Sequence, residues 1–267
     1  MVEVPHAGLE LDAETLSTLV APAQAIGRDA DLYVDELYAD APDCGATLLS
    51  ARMSRYVCDL NRSEHDVDRD TVQTATGRTS PHGLIWRSTT DNRAAIARPL
   101  AKTELERRLV SYYRPYHDKL DELVRDRLDR YGFVIVVSGH SMPSRGRDGH
   151  DDPGRERADV VPGTRQRTTA AGVVIDVVED VAARFHFGVA HDDPYRGGHT
   201  TLHYGRPAAG MHAIQIELNR KLYMDELLLT KKPNEFGLIR SFCKAIVEGF
   251  AALGALPAGP GRSRLMA

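Results

Sequence analysis

Residues 133–143 of this chain read Phe-Val-Ile-Val-Val-Ser-Gly-His-Ser-Met-Pro. Five consecutive apolar residues, most of them β-branched, predict a strand that is buried on both faces of a sheet. The strand leads through Gly139 to His140 and then to a turn that contains proline. Open α/β sheets bind their ligands at the carboxyl ends of such strands. His140 is therefore a candidate ligand-binding residue, although a hydrogen-bonded structural histidine would fit this stretch equally well.

The composition is that of an ordinary globular protein. The chain has 267 residues, of which 42% are hydrophobic and 27% charged, and its formal net charge is −4. This balance indicates neither a nucleic-acid-binding nor a membrane-binding surface. No apolar run approaches the roughly 18 residues that a membrane-spanning helix needs, and no signal peptide is visible. The three cysteines are isolated, so we expect a cytoplasmic protein without a disulfide framework.

Predicted strands alternate with predicted helices along the chain. Short apolar runs predict strands at residues 2–5, 46–49, 56–60, 133–138, 187–190 and 211–218, the second and third of which could form a hairpin. Helical spacing predicts helices at residues 16–26, 29–38, 103–131, 173–185 and 235–253. A kink or break is expected near Arg114, because Pro115 follows it. The alternation predicts an α/β fold with a mixed, mostly parallel central sheet and helices on both faces.

The domain organisation follows from the polar segments. Residues 63–93 and 144–170 are polar and aperiodic, which predicts two long loops. Loops of this length in a domain are usually functional or mobile. We expect residues 1–256 to form a single domain and residues 257–267 to form a flexible tail.

Four predicted strands end in polar side chains, namely His6, Asn61 with Arg62, His140 and Glu217. Parallel strands bring their carboxyl ends to one edge of a sheet, so these residues can converge although they are far apart in sequence. Two histidines and a carboxylate are a common ligand set for catalytic zinc. A further carboxylate could act as a general base, and an arginine could bind an anionic substrate.

These residues also have ordinary structural explanations. His6 follows a proline and could be a turn residue. Asp31 and Asp35 are four residues apart, as surface acids on one helical face often are. Glu217 could be a solvated carboxylate on an edge strand, but it alternates with Ile216 and Leu218, which places it on the other face of the strand.

Several segments, in a fixed order between residue 4 and about residue 225, together resemble one family. They are Val4-Pro5-His6-Ala7-Gly8, Asp31 to Asp35 with Leu37-Tyr38, Arg55 to Arg62, Arg114-Pro115-Tyr116-His117, Gly139-His140-Ser141-Met142-Pro143, Asp193 to Thr200, His203-Tyr204-Gly205, Gln215 to Arg220, and Tyr223-Met224. In this ordered set the chain resembles the N-formylglutamate amidohydrolases, zinc enzymes related in fold to the zinc carboxypeptidases. The resemblance implies a zinc-carboxypeptidase-like (phosphorylase/hydrolase-like) fold.

The resemblance also implies roles for individual residues. His6 and His140 correspond to the two zinc-binding histidines. Asp31 is the first choice for the carboxylate ligand, with Asp35 and Glu10 as alternatives. Glu217 corresponds to the general base that takes a proton from water and passes it to the leaving amine.

The remaining implied roles concern the substrate. Asn61 and Arg62 resemble the pair that binds the substrate α-carboxylate in the related carboxypeptidases, and Arg55 could assist them. The turn at Gly198 would let the backbone approach the ligand closely. Two further residues, His117 and His199, are candidates for the pocket, although a structural role for each fits as well.

The implied activity is hydrolysis of N-formyl-L-glutamate, an intermediate of histidine breakdown, to formate and L-glutamate. The expected partner is thus a small anionic amino-acid derivative. The alternatives are a small carboxypeptidase or another N-acyl amino acid amidohydrolase on the same fold, and a non-catalytic protein that keeps the binding pocket. Two features depart from the family pattern. Leu202 occupies a position where family members often have arginine, so specificity for glutamate is open to question. Residues 144–158 are also unusually basic.

Overall fold

The stretch around His140 forms the middle strand of a five-stranded sheet in the computed structural model, which describes residues 1–73, 75–78 and 80–254. The tail expected at residues 257–267 lies outside the described residues. The strands are β1 (Val2–Val4), β2 (Leu48–Ser50), β3 (Val134–Met142), β4 (Val160–Gly163) and β5 (Met211–Asn219), in the order β2-β1-β3-β5-β4. All neighbouring strands are parallel except β4, which pairs with β5 in the antiparallel direction.

Eight α-helices accompany the sheet in the described part of the chain. They are α1 (Ala13–Thr18), α2 (Ala23–Asp29), α3 (Val34–Leu37), α4 (Lys102–Arg108), α5 (Arg114–Tyr131), α6 (Gly172–Arg184), α7 (His199–Tyr204) and α8 (Pro233–Ala252). A small separate hairpin is formed by β6 (Met224–Asp225) and β7 (Thr230–Lys231). Within the described ranges, none of the helices combines the length and the apolarity needed to cross a membrane.

The two faces of β3 bury apolar side chains in two different cores, because successive residues of a strand point to opposite faces. Val134 and Val136 pack with α5 in one core. Ile135 and Val137 pack with α3, α6 and α8 in the other. Helices therefore cover both faces of the sheet, and the predicted α/β class with a mixed, mostly parallel sheet is confirmed.

The long helix predicted over residues 103–131 consists of α4 and α5, which are joined by a π-helical turn at Leu109–Tyr113. Pro115 lies in the first turn of α5 and has no backbone N–H to donate. A wider turn just before it accommodates the missing hydrogen bond. The α5 helix ends at Tyr131 and is capped by Gly132, whose φ of 76° suits glycine.

Several local predictions are wrong, among them the strand at residues 187–190, where only an isolated bridge joins Val189 to Val160. The segment 144–170 is not a loop throughout, since residues 160–163 form β4. The strand was not predicted because its apolar run consists of only two valines before Pro162. The proline is tolerated because β4 is an edge strand. Residues 46–60 form no hairpin, because β2 pairs in parallel with β1 and residues 56–60 form no strand. The helix expected over residues 16–26 is interrupted before α2, which begins after Pro22.

The packing of α5 against the sheet generates a stability prediction. Leu120 is fully buried between α5 and β3. Leu120→Ala should lower the free energy of unfolding by about 2–5 kcal/mol, because it removes buried methyl groups and leaves a cavity. Denaturant titration measures the change. Leu227→Ala is the matched control, since Leu227 is 81% exposed, and an equal loss in both variants would contradict this packing.

Candidate active site

Polar side chains replace apolar ones along one face of β1, β3 and β5 as these strands approach their carboxyl ends. Parallel register places Glu3 beside Ser138, and Ser138 beside Gln215. One step further, His140 lies beside Glu217. All five side chains are buried. The face that packs on α5 therefore continues into a buried polar site.

Three buried residues, His6, Asp31 and His140, bring possible ligand atoms together. The Nδ1 atoms of His6 and His140 lie 3.2 Å apart. Oδ2 of Asp31 lies 2.9 Å from Nδ1 of His140 and 3.5 Å from Nδ1 of His6. These three residues form a group that could hold a metal ion. Tetrahedral ligands at zinc distances lie about 3.3 Å from one another, so the spacing fits such an ion.

The outer nitrogens of both histidines are also fixed. Nε2 of His6 lies 2.7 Å from Oδ1 of Asp59. Nε2 of His140 lies 2.9 Å from the Ser138 hydroxyl, which in turn donates to Glu3. Metal-binding histidines typically have such partners, which set the tautomer and the ring orientation. Both rings therefore present Nδ1 to the same point.

Asp31 reaches the group from the connection between α2 and α3. Its backbone N–H donates to the carbonyl of His6 at 2.9 Å, and its Oδ1 accepts from Arg220 at 3.0 Å. Burial would raise the pKa of Asp31, but hydrogen bonds from His140 and His6 lower it. Of the three carboxylates considered, only Asp31 belongs to the donor group, since Asp35 lies in the first turn of α3 and Glu10 pairs with exposed Arg52.

Glu217 has one carboxylate oxygen fixed and one without a partner. Its Oε1 accepts from the amide of Gln215 at 2.8 Å. Its Oε2 is buried and has no hydrogen-bond partner among the described residues. Burial raises the pKa of Glu217, although the charge of His140 opposes this. The group is thus a positioned carboxylate with an unusually strong affinity for a proton.

Asp59 contacts the donor group through the outer nitrogen of His6. Besides His6, it binds Arg55 at 2.8 Å and the indole N–H of Trp86 at 3.0 Å. Burial alone would raise the pKa of Asp59, but His6 and Arg55 hold it well below its ordinary range. Asp59 therefore remains ionised, while Glu217 binds a proton more readily. Acid–base sites commonly contain two carboxyl groups whose pKa values are shifted apart in this way.

Asn61 connects the turn at Gly198 with the centre of the site. Its Oδ1 accepts from the N–H of Thr200, and its Nδ2 lies 3.2 Å from both Gln215 and His140. A Cβ on Gly198 would lie 2.3 Å from this amide. The close backbone approach expected at Gly198 is therefore made to the amide of Asn61. Asn61 in turn contacts His140 and Gln215 in the middle of the sheet.

The two long polar segments meet beside the site. Arg147 donates to Asp29 at 3.0 Å and to the Thr90 hydroxyl at 2.9 Å, and the N–H of Gly149 donates to the carbonyl of Thr90 at 2.8 Å. Arg147, Thr90 and Trp86 all line a cavity of about 200 Å³ that contains the donor group and Glu217. Segments 63–93 and 144–158 thus supply part of its wall.

The structure brings most of the predicted site residues to this cavity. Those that line it are His6, Asp31, Arg55, Asn61, Arg62, His140, Gly198 and Glu217. His117 and His199 do not line it; His117 hydrogen-bonds to the carbonyl of Leu60 at 3.0 Å, and the two rings meet edge to face with centroids 5.7 Å apart. Leu202 is 57% exposed on α7 and also lies outside the cavity lining.

Several residues of the site were missed by sequence reasoning. They are Glu3, Asp59, Arg147, Arg196, Gln215 and Arg220. Strand periodicity could have found Gln215, because it is two residues from Glu217 and shares its face. Asp59, Arg196 and Arg220 lie in segments that carry the family resemblance, but their contacts, like those of Glu3 and Arg147, join distant parts of the chain, which no local pattern reports.

Two histidines and a carboxylate at the carboxyl edge of an α/β sheet, beside a second carboxylate, form the arrangement that metal-dependent hydrolases use. Comparison with known proteins identifies the family. The model of the N-formylglutamate amidohydrolase family matches residues 1–224. The chain belongs to this family.

Individual relatives agree with this assignment. N-formylglutamate deformylases of Pseudomonas putida and Pseudomonas aeruginosa are 31% and 32% identical over 230 residues, 85% of this chain and 82% of each relative. The crystal structure of N-formylglutamate amidohydrolase from Ralstonia eutropha JMP134 superposes with a TM-score of 0.86 at 30% identity, covering 94% of this chain and 92% of that one. A protein of Agrobacterium tumefaciens, at 19% identity and a TM-score of 0.64, shows the fold alone.

Proposed function

We propose that this chain is a zinc-dependent amidohydrolase that cleaves N-formyl-L-glutamate to formate and L-glutamate. The observation that supports it most directly is the free, buried Oε2 of Glu217 beside the group of His6, Asp31 and His140. The family and the names of its relatives support the choice of substrate.

His6, Asp31 and His140 would hold the zinc ion. Two imidazole nitrogens and one carboxylate oxygen suit zinc, and three protein ligands would leave room for water or substrate. When bound, zinc supplies a Lewis acid that polarises the formyl carbonyl and lowers the pKa of water toward neutrality.

Glu217 performs the proton transfers. Its Oε2 accepts a proton from the attacking water as the new bond to the formyl carbon forms. The same carboxyl then donates that proton to the amide nitrogen as the carbon–nitrogen bond breaks, which releases formate and the free amine. Gln215 keeps Oε1 occupied, so that Oε2 remains directed to the reaction.

The charge of the cavity favours an anionic substrate. Among the described residues, six arginines line it but only three acidic residues do. Arg62 binds the carbonyls of His82 and Asn61, and its nearest carboxylate, Asp66, is 4.0 Å away. Arg62 thus has charge available for the substrate α-carboxylate, whereas the guanidinium of Arg55 is bound to Asp59.

Two substitutions separate the proposed roles. Glu217→Gln should lower kcat by about 10²- to 10⁴-fold, the usual contribution of a general base, while zinc stays bound. Asp31→Asn should lose zinc and activity together. Elemental analysis and the rate of formate release measure both effects.

The control for these variants is Glu10→Gln, which changes an exposed carboxylate outside the cavity and should alter neither quantity. A fully active Glu217→Gln enzyme would contradict the assigned base. Undiminished zinc in Asp31→Asn would contradict the assigned ligand.

The hydrogen bond from Gln215 to Glu217 predicts a pH effect. The base must be ionised, so kcat/KM should fall as pH drops through the raised pKa of Glu217, above the ordinary value of about 4.3. Gln215→Met removes a hydrogen bond to the ionised carboxylate, which raises this pKa further. The acid limb of the pH–rate profile should therefore move to higher pH, and a limb that moves to lower pH would contradict the argument.

A further inference from the structure

One of the six arginines that line the cavity differs from the others in its charge partner. Five have a carboxylate oxygen within 4.0 Å. The pairs are Arg28 with Asp91 at 2.8 Å, Arg55 with Asp59 at 2.8 Å, Arg62 with Asp66 at 4.0 Å, Arg147 with Asp29 at 3.0 Å, and Arg220 with Asp31 at 3.0 Å. Arg196 has neither an ion pair nor a side-chain hydrogen bond to any other described residue.

The backbone around Arg196 is nevertheless fixed. Its carbonyl accepts from the N–H of Arg165 at 2.9 Å. A Cβ on Gly163 of β4 would lie 2.9 Å from the carbonyl carbon of Arg196, so the turn packs tightly on the edge strand. Gly197 follows with a φ of 101°, and Gly198 binds Gln215 at 2.9 Å. The turn that carries Arg196 is therefore attached to the residue that orients Glu217.

The position of Arg196 suits the outer part of a substrate. Its side chain is exposed and lines the cavity, whereas the donor group and Glu217 are buried in it. The scissile formyl group must lie at the buried end. The side-chain carboxylate of formylglutamate is the group farthest from that bond and so lies toward the exposed end.

We propose that Arg196 binds the side-chain carboxylate of the substrate and thereby determines the preference for an acidic side chain, while Arg62 binds the α-carboxylate. This inference rests on the proposed function. A guanidinium presents two parallel N–H donors that match a carboxylate, and the guanidinium of Arg196 has no competing partner within the described chain. The exposed Leu202 on α7 then leaves glutamate specificity intact, because its side chain does not line the cavity.

A pair of isosteric substrates tests this assignment. N-formyl-L-glutamine replaces the side-chain carboxylate of N-formyl-L-glutamate by a neutral amide. The wild-type enzyme should prefer formylglutamate by about 10- to 100-fold in kcat/KM, as expected for a specific ion pair. Arg196→Gln should abolish most of this preference, chiefly through a higher KM for formylglutamate, with a much smaller change for formylglutamine.

Two further variants complete the experiment. Arg196→Lys keeps the charge and should restore part of the preference, although it lacks the paired donors. Arg184→Gln is the matched control, because Arg184 is exposed at the end of α6, away from the cavity, and should leave both rates unchanged. Thermal unfolding of Arg196→Gln should match the wild type.

The outcomes separate the inference from the proposed function. Equal wild-type rates on the two substrates, or an Arg196→Gln variant that loses both alike, would overturn the role of Arg196 and leave the amidohydrolase in place. A wild-type enzyme that hydrolyses neither substrate would contradict the proposed function and this assignment with it.

Discussion

The parallel hydrogen bonding of β3 with β5 is the constraint on which the site depends. It places His140 directly beside Glu217 and Ser138 beside Gln215. Because both strands are buried in the middle of the sheet, these side chains cannot turn away to solvent. A shift of one residue would move each of them to the opposite face. The same pairing that builds the core thus sets the distance between His140, in the group that could hold a metal ion, and the carboxylate of Glu217.

Burying so many charged groups requires that each has partners. Asp31 is shared by two histidines and Arg220, while Asp59 is shared by His6, Arg55 and Trp86. Removing one partner from such a set leaves a buried charge uncompensated, which is strongly destabilising. By contrast, Oε2 of Glu217 is buried without a hydrogen-bond partner among the described residues, and the exposed guanidinium of Arg196 pairs with no described carboxylate. Their lack of partners within the described chain is what a site needs in order to act on a ligand.

The sequence predicted the elements whose signal is local and strong. The run that ends at His140 predicted the middle strand, and alternation around Glu217 placed its side chain on the correct face. The hairpin at residues 46–60 was predicted wrongly because buried turn residues such as Val57 look apolar in sequence, like strand residues. The charge partners in the cavity could not be predicted for a different reason. Contacts such as Arg147 with Asp29 join segments 118 residues apart, and no local sequence pattern reports them.

The most direct test of the account is anomalous diffraction at the zinc edge from crystals of the protein grown without chelator. If His6, His140 and Asp31 bind zinc, a single peak should lie about 2.0–2.2 Å from Nδ1 of both histidines and one oxygen of Asp31, with Glu217 nearby but not bound. A peak coordinated by Asp35 or Glu10, or no peak at this position in crystals of active enzyme, would contradict it.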